Sequence, residues 1–353
     1  MQTAILNGCM TAAVLYGRED LKVEQIAIPT LADDEVLLQV KVALTCGTDL
    51  KVWKQGSHPR MIFPPAVFGH EMAGVVSAVG SAVPDSVRVG MRVVPSNSAP
   101  CNTCFFCRRN LPNLCEDLLF NNGAYAEYMR IPGRIVRQSL LEIPDHVSFT
   151  DAALVEPLAC VLRGIAEVGA QPGDTSVVIG CGPIGLMFTR MLTAQGVRVI
   201  AVGKRQTQVR AAERMGAWKT FDVNEIPNPV EAVRQLTERG RGADSVVEAV
   251  GTPLTWQWSV QMARRGATVN LFGGCPSGSE VRLDPKSLHY SEITLKSTFH
   301  HTPRFIREAL GAVARGEISA DVLVTGQIRL ADLPGMFEHM KNRNGELKTA
   351  VIP

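Results

Sequence analysis

The chain has 353 residues, 46% of them apolar and 20% charged, the proportions of an ordinary soluble globular protein of about two domains. Thirty-six basic against thirty-four acidic side chains leave a net charge of +2, which gives no electrostatic case for nucleic acid or an acidic partner. No apolar run reaches the ~18 residues of a membrane helix, and Met1-Gln-Thr-Ala-Ile-Leu6 lacks the basic start of a secretory signal, so no membrane partner and a cytoplasmic location are expected.

Residues 1–9 read as an extension ahead of a natural beginning at Met10. Met10–Tyr16 and Val36–Leu44 have the composition of strands, with Pro29 and Asp33-Asp34 as punctuation between them. Val75–Val79 and Met91–Val94 add two more, so this half is mostly β. Cys46-Gly-Thr-Asp49 closes the second of these strands, and Gly69-His-Glu71 falls in a loop after Pro64-Pro65. Cys, His and Glu supply the thiolate, imidazole and carboxylate that zinc accepts. Taken singly, Cys46 reads as a small buried hydrophobe and His70 as a satisfied polar residue; the Gly69-His-Glu-x-x-Gly74 setting raises both. Glu156, in Val155-Glu-Pro157, is a carboxylate in an apolar stretch, and by itself reads as a surface residue at a helix start.

Nine cysteines are present, and Cys101-x-x-Cys104-x-x-Cys107-x7-Cys115 gathers four of them. That clustering suits a metal in a reducing compartment better than a disulfide framework. Four thiolates at this spacing can close a tetrahedron around one Zn²⁺ and leave no position for water, which is a structural site. The same ligands also suit an iron–sulfur cluster. A nucleic-acid-binding zinc module is disfavoured, because Arg108 and Arg109 read as an isolated pair without an aromatic surface.

A different pattern begins at Ser176. A short β-branched strand, Ser176–Ile179, runs into Gly180-x-Gly182-x-x-Gly185, with Pro183 and Ile184 as spacers, then a helix Leu186–Gln195 and a strand Val197–Val202. Glycines there serve a tight turn, backbone approach to a pyrophosphate and close helix packing, and the helix start offers free N–H groups to phosphate. Beyond it come an amphipathic helix with Val209, Ala212 and Met215, then strands at Ala243–Val250, Ala267–Phe272 and Ile293–Phe299. Leu271 to Gly274, Gly273 included, sits where a nicotinamide wall is expected, although bulky strand ends also serve as plain core. His300-His301 reads as an exposed pair before Pro303, and Trp53 and Phe120–Tyr125 as candidates to reach a substrate cleft. There is no internal repeat, low-complexity segment or long linker.

Taken together, Cys46-Gly-Thr-Asp, Gly69-His-Glu, the four-cysteine lobe, Glu156-Pro and Gly180-x-Gly-x-x-Gly closely resemble the zinc-dependent medium-chain alcohol dehydrogenase family, from about Met10 to Pro353. Within it, Glu156 in its Glu-Pro setting resembles the polyol, sugar and threonine dehydrogenase branch. The resemblance implies an α/β chain: a Rossmann doubly wound parallel sheet plus a GroES-like β-rich catalytic domain. The catalytic domain would span 1–157, with a structural zinc lobe at about 95–118. The Rossmann domain would span 158–296, and 297–353 would return to the catalytic domain, with a cleft between the two. It also implies two Zn²⁺ per chain. Cys46 and His70 would hold the catalytic one with Glu71 and Glu156 as its carboxylates, and Cys101, Cys104, Cys107 and Cys115 would hold the structural one.

The same resemblance makes Asp49 the acceptor of the other His70 ring N–H, and Thr48 the hydroxyl that meets the substrate oxygen and starts a proton relay. The outer histidine of that relay in many relatives is Lys51 here. The implied reaction is zinc-assisted hydride transfer between an alcohol (a polyol, sugar or other secondary alcohol) and a nicotinamide nucleotide, in a homodimer or homotetramer. Alternatives are an aldehyde or ketone reductase acting on simple or aromatic carbonyls, or an NAD-dependent threonine dehydrogenase-like enzyme. A non-enzymatic nucleotide-binding relative is disfavoured by the full ligand set.

Coenzyme choice is read at the end of the second Rossmann strand. An acid usually stands there and bonds the ribose 2′-OH; this chain has Gly203-Lys204-Arg205. Losing the acid and its side chain opens room for a 2′-phosphate, and the two cations favour it. Similar Gly-x-Arg turns occur in NADP-dependent relatives, and NADP is expected in preference to NAD.

Overall fold

The computed structural model describes residues 8–342 and 346–353. The first strand starts at Cys9, and residues 1–7 of the expected extension lie outside the described residues. The chain forms two compact units, one of residues 1–159 and 301–353 and the other of residues 160–300.

The central strand of the first unit is buried along most of its length. Val36–Leu44 buries seven of its nine side chains, and Met72–Val79 pairs with it antiparallel, Ala43 opposite Met72. The last strand, Lys348–Ile352, joins the other edge of Val36–Leu44, with Ala350 opposite Leu44. A parallel neighbour, Val324–Arg329, follows it in the same seven-stranded sheet. The core on this sheet includes Leu38, Phe68, Met72, Tyr125, Ile131 and Phe337. Trp53 belongs to it as well: the indole is 2% exposed and lies 5.7 Å from the Phe337 ring, so it fills the core rather than reaching a substrate.

Cys46 does not close a strand. It caps the helix Gly47–Gln55, its backbone extended and its sulfur accepting from the Thr48 N–H at 3.4 Å. Gly56, at a φ of +87°, ends that helix by returning its N–H to the Val52 carbonyl.

The second unit is a six-stranded, all-parallel sheet. Its spatial order is Lys219–Asp222, Arg198–Gly203, Thr175–Ile179, Ala243–Glu248, Ala263–Leu271, Thr294–Ser297. In chain sequence that is 3-2-1-4-5-6, the doubly wound order with its switch point between the first and fourth strands. The helix after the first strand begins at Pro183 rather than Leu186, since a proline at the first helical position needs no N–H partner and has its φ preset.

Candidate active site

Two antiparallel registers bring the first site together. Leu44 N–H donates to the Glu71 carbonyl at 2.9 Å, and Thr45 N–H donates to the Thr349 carbonyl at 3.0 Å. Cys46, the His70-Glu71 pair and Lys348 therefore meet at one end of one sheet. Ligand atoms of Cys46, His70 and Glu71 lie within 4.8 Å of one another.

His70 and Glu71 are each held from behind. The Nδ1 of His70 sits 2.9 Å from Asp49 Oδ1, which leaves Nε2 to face the trio. The hydroxyl of Tyr125 donates to the other Asp49 oxygen at 2.6 Å and lies 3.1 Å from the Leu44 carbonyl. Burial pulls against protonation of His70, but the charges of Asp49 and Cys46 outweigh it and hold its pKa well above the ordinary imidazole value. Burial, reinforced by the Asp49 charge, raises the Tyr125 pKa well above the usual phenol and keeps its proton in place.

Glu71 is fully buried. Its Oε2 accepts from Lys348 Nζ at 2.5 Å, and its Oε1 has no hydrogen-bond partner among the described residues. Lys348 also donates to the Thr45 carbonyl at 3.1 Å. Burial works against its charge, yet Glu71 and Cys46 keep its pKa above the ordinary lysine value.

Glu156 starts the helix Val155–Val168 as expected, but it is 8% exposed rather than a surface residue, because apolar neighbours surround the helix start. Burial, with Glu71 and Asp49 adding to it, pushes its carboxyl up to about 7 against the pull of His70 and Lys348. It is not part of the 4.8 Å trio.

The donor set suits a divalent cation. One thiol, Asp49, Glu71 and Glu156 crowd round a single ammonium and one imidazole, and an orphaned carboxylate oxygen is buried beside a sulfur and a ring nitrogen. Thr48 is partly exposed in the first turn of its helix, and Lys51 is exposed one turn on.

His300 and His301 do not form an exposed pair. His301 is 2% exposed, with Nε2 2.7 Å from Asn97 Oδ1 and 3.7 Å from Glu156 Oε1. A polar partner inside the fold accounts for its burial.

At the four-cysteine lobe the sulfurs of Cys101 and Cys107 are 4.0 Å apart, Cys104 and Cys115 3.8 Å, and Cys101 and Cys115 3.4 Å. Four sulfurs each ~2.3 Å from a common centre would stand about 3.8 Å apart, so the cluster suits one tetrahedral ion. The lobe does present an aromatic side chain: Phe105 is 52% exposed, and the Arg109 guanidinium stacks 3.6 Å from its centroid. Arg108 donates to the Thr103 carbonyl at 2.6 Å, so both arginines are engaged within the lobe.

The carboxyl edge of the parallel sheet is a second candidate site. A β-carbon on Gly185 would fall 1.6 Å from the Gly180 carbonyl oxygen, so helix and loop touch there. Gly182 caps the helix Pro183–Ala194 and has open space where a side chain would stand, with Ile184 in the first turn. Gly180, at a φ of +107°, donates to the Val202 carbonyl at 2.8 Å. Leu271 pairs in register with Glu248, and Gly273 packs onto Gly251.

Gly203 ends its strand as expected, but it does not open room. A β-carbon there would meet Cys181 Sγ at 2.8 Å and Val209 Cγ2 at 2.9 Å, so the thiol of the glycine loop fills that space. Lys204 is exposed, and Arg205 donates to Gln208 at 3.3 Å; neither forms an ion pair among the described residues.

Tyr125, Lys348, His301 and Asn97 were not singled out for these contacts by sequence. A lysine inside Lys348-Thr-Ala-Val-Ile, a strand otherwise apolar or small, was the one available signal.

Residues 32–145 match the alcohol dehydrogenase GroES-like domain, and residues 183–315 match the zinc-binding dehydrogenase domain. The chain is 31% identical to the sorbitol dehydrogenase of Bacillus subtilis, over 98% of this chain and 97% of that one. It is 30% identical to the D-xylulose reductase A of Aspergillus oryzae, over 96% of this chain and 95% of the other. Among solved structures, a zinc-binding dehydrogenase of Sinorhizobium meliloti 1021 bound to NADP superposes with a TM-score of 0.89 at 31% identity, covering 98% of this chain and 100% of that one. Among the described residues no helix is long and apolar enough to cross a membrane.

Proposed function

Because this chain belongs to the zinc-dependent medium-chain alcohol dehydrogenases, in their polyol dehydrogenase branch, we propose that it oxidises a secondary alcohol of a polyol or sugar with NADP and runs the reverse reduction. The observation that carries the reading is the trio of half-buried Cys46 with buried His70 and Glu71, and its orphaned carboxylate oxygen. Zinc held there supplies Lewis acidity toward the substrate oxygen, and the nicotinamide carries the hydride.

The chain's own residues do the rest. Cys46 and His70 are the ligands, Asp49 fixes the His70 tautomer from behind, and Tyr125 fixes Asp49. The Thr48 hydroxyl meets the substrate oxygen and takes its proton outward, and Glu71 and Glu156 supply the remaining negative charge. Cys101, Cys104, Cys107 and Cys115 hold a second, structural zinc. Gly180, Gly182 and Gly185, with Pro183 and Ile184, cradle the pyrophosphate, and Leu271 and Gly273 wall the nicotinamide. Lys204 and Arg205, free of ion pairs among the described residues, grip the 2′-phosphate. The edge strand Thr294–Ser297, with Phe299 50% exposed beyond it, supports pairing with a second copy. Reduced cysteines fit work in the cytoplasm.

The test is a screen of polyols, amino alcohols, simple alcohols and aromatic carbonyls with both nucleotides. The expected result is a higher kcat/KM for polyols and for NADP. Cys46→Ser should abolish turnover and leave nucleotide affinity within a few fold. Near-normal kcat in that variant overturns the metal assignment, and a higher kcat/KM with NAD overturns the coenzyme assignment.

A further inference from the structure

Ahead of the parallel strands, at the sheet edge opposite the glycine loop, the second unit has a half-open cavity of about 1110 Å³. Arg234, Arg239, Arg241, Arg264, Arg265 and Arg282 line it, and Asp284 is the one carboxylate in the lining. In a chain of net charge +2 this is a local concentration, not general basicity.

A guanidinium keeps its charge at any physiological pH, so only anions can relieve such a cluster. The chain supplies part of the relief. Asp244 accepts from Arg264 Nε at 2.6 Å, and Glu238 lies 3.9 Å from Arg239 and 3.5 Å from Arg241. Asp284 is turned away to cap the next helix, accepting from the N–H groups of Lys286 and Ser287 at 3.1 Å each. Arg234 spends one N–H on the Gln261 carbonyl at 3.1 Å. Among the described residues, Arg234, Arg265 and Arg282 have no carboxylate within ion-pair distance.

We propose that this cavity is a binding site for a small molecule carrying two or more phosphate groups. Three uncompensated forks call for more than one negative charge, and guanidinium matches phosphate oxygens two at a time. The cavity is of the size that holds a small organic ligand rather than a lone ion. It is concave and confined to one edge of a near-neutral chain, where a nucleic acid would find no basic track to follow. The site is separate from the glycine loop. That loop follows the carboxyl end of Thr175–Ile179, whereas Arg241, Arg264 and Arg265 sit at the amino ends of two strands parallel to it.

The zinc-loaded full chain, held in saturating NADP, is titrated with inorganic pyrophosphate in a calorimeter. One saturable site per chain is expected, weakening as salt rises, and a higher thermal midpoint with pyrophosphate present. Arg265 and Arg282 are exposed, so the double variant Arg265→Ser/Arg282→Ser keeps the fold. It should bind pyrophosphate at least tenfold more weakly and lose the midpoint shift, with KM for NADP within twofold of the unmodified protein. No saturable heat, or equal affinity in the double variant, overturns the proposal. So does an oligonucleotide that binds and that pyrophosphate cannot displace.

Discussion

Lys348 Nζ donates to Glu71 Oε2 at 2.5 Å, with the two side chains 3% and 0% exposed. The bond ties the last strand to the loop that carries His70. Neither charge is screened by solvent, so each depends on the other. Lys348→Met strands the Glu71 carboxylate and should destabilise the fold by about 3–5 kcal/mol, read from denaturant unfolding. Lys348→Arg should recover most of it. An unfolding midpoint unmoved by Lys348→Met would show that the pair is not a buried dependency.

The Tyr125 hydroxyl is the next link outward, through Asp49 to His70. Tyr125→Phe removes one oxygen and leaves the ring in its core. Metal affinity, measured by competition with a chelator, should fall by about 10–100-fold. A general packing defect would lower the thermal midpoint and leave that affinity alone, which is the result that counts against the link.

Cys104 tests the lobe independently. Binding of a structural zinc is folding energy, so Cys104→Ser should lower thermal stability and remove about half the bound metal. Two zincs per chain at unchanged stability would contradict the assignment.

Gly203 is boxed in by Cys181 and Val209, and the coenzyme variants must respect that. Gly203→Asp alone should lose stability and bind either nucleotide poorly. Gly203→Asp combined with Cys181→Ala and Val209→Ala should shift kcat/KM toward NAD, since both side chains that crowd the position are then cut back and the carboxylate has space to reach a ribose hydroxyl. A triple variant that still prefers NADP refutes the role given to this turn.

What could be read in the sequence was local. The strand, glycine loop and helix after Thr175 announce themselves within twenty residues, as do the four cysteines whose sulfurs meet in the lobe. Long-range register was not legible. Lys348 meets Glu71 only because Ala350 lands opposite Leu44, and His301 is buried only because Asn97 stands ready to bond it. Glu156 reads as surface from its helix-start position, and only the packing around it reverses that. The room assigned to Gly203 failed for a similar reason: the neighbour that fills it is 22 residues upstream, across a parallel register.

The antiparallel seam at Leu44 and Ala350 has a consequence for synthesis. Thr45 and Lys348, bonded to each other, are 303 positions apart, while every strand of the parallel sheet lies within residues 160–300. A chain emerging in order therefore completes its second unit first, and the first unit waits, its seam open, for residues 348–352. Nascent chains stalled near residue 340 should protect residues 160–300 from protease and leave residues 9–159 cleavable. Early protection of both would mean that the β-rich unit closes without its last strand.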